Sequence, residues 1–158
     1  HSTDVIRCNV GDTIVTQQAL GTTDLDGVWS HCCCTWDSTL DDLLAYVNTT
    51  QEGSDTADTV GSLTTVGAFK FGENDNNAGD FLGLIALGSV YLSRVLTAAE
   101  LSQLQYLPCS LGTEDACFPI MGDATEIDWG PSDFTGTVTG TTTSANGPPV
   151  MFGVGLSL

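Results

Sequence analysis

The sequence has almost no positive charge. Its 158 residues include 3 Lys plus Arg and 2 His against 20 Asp plus Glu, a formal charge of −17. Nucleic-acid binding needs Lys and Arg to displace phosphate counterions, so that class is excluded. Attraction to anionic lipid is excluded for the same reason. Long apolar runs are missing too. The longest, Phe81 to Leu92, falls well short of the roughly 20 residues that span a bilayer. No membrane insertion is expected, and the run reads as a buried strand crossing a sheet covered on both faces. Disorder is also excluded, because only 15% of residues are charged while 41% are hydrophobic. The chain opens His1-Ser2-Thr3 without Met, which reads as a processed form or a fragment.

What is present is strand-like. Val5 to Cys8 and Thr13 to Thr16 are short β-branched runs around Gly11-Asp12, a hairpin signal. Val28 to Trp36, Leu43 to Val47 and Leu63 to Phe71 read as further strands, with polar loops over 48–61 and 72–80. Gly136 to Thr143 and Val150 to Leu158 follow as later ones. One helix is signalled near residues 97–105. Thr97 and Glu100 form a capping box, Leu101 and Leu104 an apolar stripe, and Pro108 a stop. Many short strands with one late helix predict an all-β protein, an antiparallel β-sandwich.

Six cysteines suit disulfides and leave many pairings open. Cys109 and Cys117 flank a turn-like Ser-Leu-Gly-Thr-Glu-Asp and are expected to pair. Cys32, Cys33 and Cys34 read as three buried thiols acting as small hydrophobes, with a metal site as the sharper alternative. His31 and Cys32 point to opposite faces of a strand and make no nucleophile–base pair. Asn48-Thr49-Thr50 is a glycosylation sequon. Trp29 and Trp36 fit the core, whereas Trp129, in the Asp128-Trp129-Gly130 turn, is the aromatic best placed to stack on a sugar.

Several segments resemble one family. Trp29-Ser30-His31-Cys32-Cys33-Cys34-Thr35-Trp36-Asp37 is similar to the Trp-His-His-Val-Ala-Ala-Thr-Phe-Asp strand of laminin-G-like jelly rolls in the concanavalin A-like lectin and glucanase superfamily. Ala45-Tyr46-Val47-Asn48, Phe69-Lys70-Phe71-Gly72, Phe81-Leu82-Gly83-Leu84-Ile85, Val90 to Thr97 and Ala99-Glu100-Leu101 resemble later family segments in the family's order. The likeness spans about residues 25–105. It departs in two places. Ala86-Leu87 stand where the family often has Asp-Glu, and only a short stretch precedes Trp29. Residues 117–138 resemble the way such domains begin, and the tail is similar, more loosely, to tails of phage surface proteins. The expected division is a sandwich core over 1–107 and a tail over 108–158. That tail either completes the sandwich, opens a second domain or contacts a neighbouring subunit.

The resemblance implies a jelly roll, and calcium held in rim loops. The candidate ligands are Asp24 and Asp26 in one loop, with Glu73, Asp75, Asn77 and Asp80 in another, since a hard cation wants six to eight oxygens. It also raises hydrolysis, because glucanases of the superfamily use a Glu-x-Asp-x-x-Glu strand and retaining cleavage needs two carboxyl groups roughly 5 Å apart. Here Glu126-Ile127-Asp128 is followed by Pro131 in the last position, so no catalytic residue and no enzyme is expected. The expected function is extracellular carbohydrate binding or adhesion on a cell or virion surface. The alternative is a capsid-decorating, fibre or filament subunit. Partners are then carbohydrate or further copies of the chain, as a homo-oligomer or part of a larger assembly.

Overall fold

The computed structural model describes residues 4–11, 16–57, 59–60, 83–92, 94–120, 125–132 and 134–137. These form nine strands and one helix, divided between two compact units. The first unit takes in His1–Val66 and Arg94–Gln105, the second Gly67–Ser93 and Tyr106–Leu158. The expected tail from residue 108 onward falls in the same unit as residues 67–93.

The first unit begins with a hairpin of β1 (Arg7–Gly11) and β2 (Thr16–Leu20), in register from Arg7↔Leu20 to Gly11↔Thr16. Of the strand expected over Thr13–Thr16 only Thr16 falls among the described residues, and β2 runs on from it to Leu20. Gln17 and Gln18 disguise it as polar chain, yet Gln17 is completely buried. Its Nε2 donates to the Asp41 carbonyl at 2.6 Å and the Asp55 carbonyl at 3.4 Å. Its Oε1 accepts the Trp36 indole N–H at 3.1 Å. A buried amide is tolerated because its hydrogen-bonding capacity is used.

A three-stranded antiparallel sheet follows: β3 (Cys32–Asp37), β4 (Asp42–Val47) and β5 (Thr50–Asp55). Asp37 turns the chain between the first two, its carboxylate accepting the Thr39 and Leu40 amides at 2.8 and 3.2 Å. Along β4, Leu43, Ala45 and Val47 are buried and alternate with half-buried residues, the period of two a strand requires. β5 corrects the loop expected over 48–61. Its sequence, TQEGSD, carries no apolar face. Its place is set instead by contact, since a Cβ at Gly53 would collide with the Leu20 carbonyl. Only glycine lets β2 and β5 approach this closely.

The β1–β2 hairpin packs on this sheet. Cys8, Ala19, Leu43 and Ala45 form one buried cluster, flanked by Ile6, Val10 and Trp36. A disulfide between Cys8 and Cys34 ties the two layers. The triple cysteine is therefore not three buried thiols. Cys34 faces the β1 layer and is bonded there, Cys32 is free and exposed, and Cys33 is free and half-buried. The reason is strand alternation: Cys32 and Cys34 share a face, and only the latter lies across from Cys8. Trp29 also departs from expectation, lying at the surface rather than in the core.

Helix α1 (Ala98–Tyr106) starts at the capping box. The Glu100 carboxylate accepts the Thr97 amide at 2.8 Å, and the Thr97 hydroxyl accepts the Glu100 amide at 3.3 Å. Leu101 and Leu104 are its buried residues.

The second unit holds two antiparallel pairs, β6 (Leu87–Val90) with β7 (Ala116–Pro119), and β8 (Thr125–Ile127) with β9 (Thr135–Thr137). Of the long strand expected over Phe81–Leu92, 81 and 82 lie outside the described residues, and among the described ones four are strand. Its partner β7 is just as short and ends at Pro119, beyond which the Ile120 amide still donates to the Ala86 carbonyl at 2.9 Å. Leu84 and Leu92, outside the pairing, are exposed. Across both units the described chain is an all-β, antiparallel, jelly-roll-type fold with a single short helix.

Candidate functional site

The site lies in the second unit, around the loop that joins β8 to β9. Its frame begins with the Cys109–Cys117 disulfide, which closes the loop leading into β7. Within that loop Cys109 and Gly112 take positive φ, 57° and 64°. Glu114 is buried, and its Oε1 accepts the Leu111 amide at 2.9 Å and the Tyr91 hydroxyl at 3.1 Å. The next carboxylate, Asp115, accepts the Leu92 amide at 2.6 Å. Two acidic side chains thus tie the cysteine loop to the end of β6.

Asp128 does the same for the following loop. It is 6% exposed, and its Oδ1 accepts the Cys117 and Gly130 amides, each at 2.7 Å, while Oδ2 accepts the Phe134 amide at 3.1 Å. Trp129 returns a bond from its own amide to the Cys117 carbonyl at 2.7 Å. A buried carboxylate holding three N–H groups makes the stronger, charge-assisted kind of hydrogen bond. It ties the Gly130 and Phe134 backbone to Cys117 of β7. Gly130 fits this turn because a Cβ there would stand 2.9 Å from the Asp128 Oδ1 and 3.2 Å from the Ala116 Cα.

Beside these anchored amides stand two uncovered aromatics. The Trp129 residue is 53% exposed and Phe134 is 52% exposed. Covering about 100 Å² of such a ring is worth roughly 2.5 kcal/mol at 25 cal/mol per Å². Fixing the backbone beforehand spares a ligand the cost of ordering it. Trp129 is the residue singled out from the sequence for sugar stacking. Phe134 and the anchoring role of Asp128 were not, since that role shows only once the Cys117 amide, eleven positions away, is brought to the carboxylate.

Of the calcium candidates only Asp24 and Asp26 fall among the described residues. Asp24 Oδ1 accepts the Asp26 amide at 3.2 Å, an ordinary turn contact. Their loop is organised by Glu52, whose carboxylate accepts the Thr22 and Thr23 amides at 3.0 and 2.9 Å and also the Thr23 hydroxyl. Those bonds, the Thr23 hydroxyl foremost, hold the Glu52 pKa below its usual range. Glu52 is thus engaged with backbone and hydroxyl groups of this loop, and Asp24 and Asp26 are two of the six expected ligands. Among the described residues no three His, Cys, Asp or Glu side chains come together to hold a metal. Glu73, Asp75, Asn77 and Asp80 lie outside the described residues.

The remaining candidates have local roles. Asn48 and Thr49 make the tight turn between β4 and β5, both at positive φ, 47° and 72°. The Asn48 Oδ1 accepts the His31 amide at 2.9 Å, and its own amide donates to the His31 carbonyl at 2.8 Å. His31 is held below its usual pKa by burial. Burial pushes the Cys33 thiol up to about 11, helped by Cys32, and raises Cys32 as well, with Glu52 adding to it. Thiols so shifted are poor nucleophiles at neutral pH.

Fold and site together define a jelly-roll module whose clearest exposed feature is an aromatic loop. The chain belongs to the concanavalin A-like lectin/glucanase superfamily: the superfamily's laminin-G-type family model matches residues 2–102. The Trp129 loop lies beyond that match. Curated proteins and solved structures give no match.

Proposed function

We propose that this chain is a non-catalytic, extracellular carbohydrate-binding module, acting in adhesion at a cell or virion surface, with Trp129 meeting the sugar. The carrying observation is the exposed Trp129 ring on a backbone fixed by Asp128. Sugar rings present C–H faces that an aromatic plane covers well, and a site on a rigid support positions that contact accurately. The superfamily, which joins lectins with glucanases, supports a sugar ligand. The engagement of both Asp128 oxygens with backbone amides supports a structural rather than a catalytic carboxylate. Two disulfides are compatible with an oxidising, extracellular setting.

Assembly through the tail is the second reading. The pairing of β7 with β6 uses tail residues inside the chain itself, which favours the first. A glycan array probed with the protein and its Trp129→Ala variant tests the proposal, run with calcium and with a chelator. Binding to at least one sugar that the variant loses is expected. Absence of any binding, with or without calcium, would refute it, and higher-order assembly in solution would then support the second reading.

A further inference from the structure

We infer that the Trp129 loop takes amino-sugar polymers, chains of protonated glucosamine-type units, in preference to neutral or anionic glycans. This rests on the carbohydrate reading above and adds the sign of the ligand's charge. From Val95 to Leu158 the sequence contains no Lys, Arg or His. The unit that carries the loop has a single basic residue, Lys70, against nine Asp and Glu. Three of those acids are part of the loop's own frame: Glu114 and Asp115 just before β7, and Asp128 beneath the turn. A sulfated, sialylated or uronic-acid chain laid across Trp129 would meet the Asp128 carboxylate, bonded to the Gly130 and Phe134 amides, inside a screening length of roughly 8–10 Å, and no cationic partner among the loop's neighbours in sequence. Its own charge would count against it.

A protonated amino sugar meets the opposite conditions. Its C–H face covers an aromatic ring as any pyranose does, and its ammonium group is drawn both to the ring face and to the surrounding negative potential. Trp129 and Phe134 stand five positions apart in the sequence of this loop, and both are exposed. The aromatics supply contact area and the acids supply selection.

Isothermal titration calorimetry at about pH 5.5 decides it, with three oligomers of equal length: β-1,4-linked glucosamine, its N-acetylated counterpart, and a uronic-acid oligomer. The glucosamine oligomer is expected to bind at least about tenfold tighter than the N-acetylated one, and the uronic-acid oligomer not at all. Trp129→Ala should weaken the glucosamine oligomer at least about tenfold, and Phe134→Ala by less. Equal binding of the charged and neutral oligomers, still dependent on Trp129, would overturn this inference and leave the carbohydrate reading standing. No binding of any oligomer would overturn both. Glucosamine binding that ignores Trp129→Ala, or that a lysine polymer of matched charge competes away completely, would reduce the effect to simple ion pairing and overturn the inference.

Discussion

The two units are held by different forces. Among the described residues nine of the buried hydrophobic side chains belong to the first unit, from Cys8 to Leu104, and two, Ala116 and Cys117, to the second. The first is a layered apolar core with one buried amide hub, Gln17. The second is organised by buried carboxylates, Glu114 and Asp128, each accepting hydrogen bonds from its own neighbourhood. Apolar burial is non-directional and tolerates adjustment, whereas a carboxylate holding three amides specifies one backbone path. The unit with the smaller described core is thus the one with the more closely specified loop, and that loop displays the exposed aromatics.

The strongest way to break this contrast is Asp128→Ala. It leaves the buried Cys117 amide and the part-buried Gly130 and Phe134 amides without their acceptor, and a buried unpaired donor costs about 1–3 kcal/mol, a part-buried one less. A loss of about 4 kcal/mol of local stability is expected, read by amide hydrogen exchange at those three positions, together with loss of any sugar binding. Unchanged exchange at 117 and 130 would mean that the carboxylate does not hold the loop. The matching cut in the first unit, Leu43→Ala, should instead cost about 2–5 kcal/mol through a cavity, while amides 117, 130 and 134 keep their protection.

The disulfides sharpen the same comparison. Cys8–Cys34 spans a sequence separation of 26, Cys109–Cys117 only 8. Loop-closure entropy then predicts about 3.5 kcal/mol for the first and about 2.5 for the second. Denaturant unfolding of the paired alanine variants, Cys8→Ala with Cys34→Ala and Cys109→Ala with Cys117→Ala, measures both. A larger loss from the short loop would show that its bridge acts through the folded state, by holding the frame of the Trp129 loop.

How legible each unit was follows from the range of its contacts. Thr97 with Glu100, Cys109 with Cys117, and the alternation along Leu43–Val47 are signals within ten residues, and the sequence displays them. The partner of Cys34 sits in another layer, and nothing near the triple cysteine points to Cys8. Strands β2 and β5 look like polar loop because their places are set by Gln17 reaching Asp41 and Asp55, and by Gly53 meeting Leu20. Trp129 stood out beside a Gly-Pro turn. Asp128 looked instead like the remnant of a hydrolase strand, because a carboxylate's role depends on which amides surround it.

A smaller effect of opposite sign is expected at the β4–β5 turn. Thr49 holds φ at 72°, a conformation that a β-branched residue adopts only under strain. Thr49→Gly should relieve it and raise stability by about 1 kcal/mol, while leaving the Asn48 sequon intact. A thermal midpoint that fell would show that the Thr49 side chain makes a contact worth more than the strain.

The smallest expected effect is a pH dependence confined to the first unit. Thr97's amide, the Arg94 guanidinium at 2.7 Å and the Thr97 hydroxyl hold the Glu100 pKa down from the usual 4.5 to about 2. A carboxylate depressed in the folded state contributes above its unfolded pKa, and that contribution drains away as pH falls from about 4.5 toward 2. Glu100 is partly exposed, so the contribution is small and screened by salt. Lowering the pH also relieves the self-repulsion of a chain carrying −17, which opposes the loss. The two are separated by comparing the wild type with Glu100→Gln at about 0.2 M salt, where the repulsion is damped. The variant's acid limb should be flatter between pH 4.5 and 2. Identical limbs would place the capping box outside the energetics of the first unit, and leave its stability to the apolar layers alone.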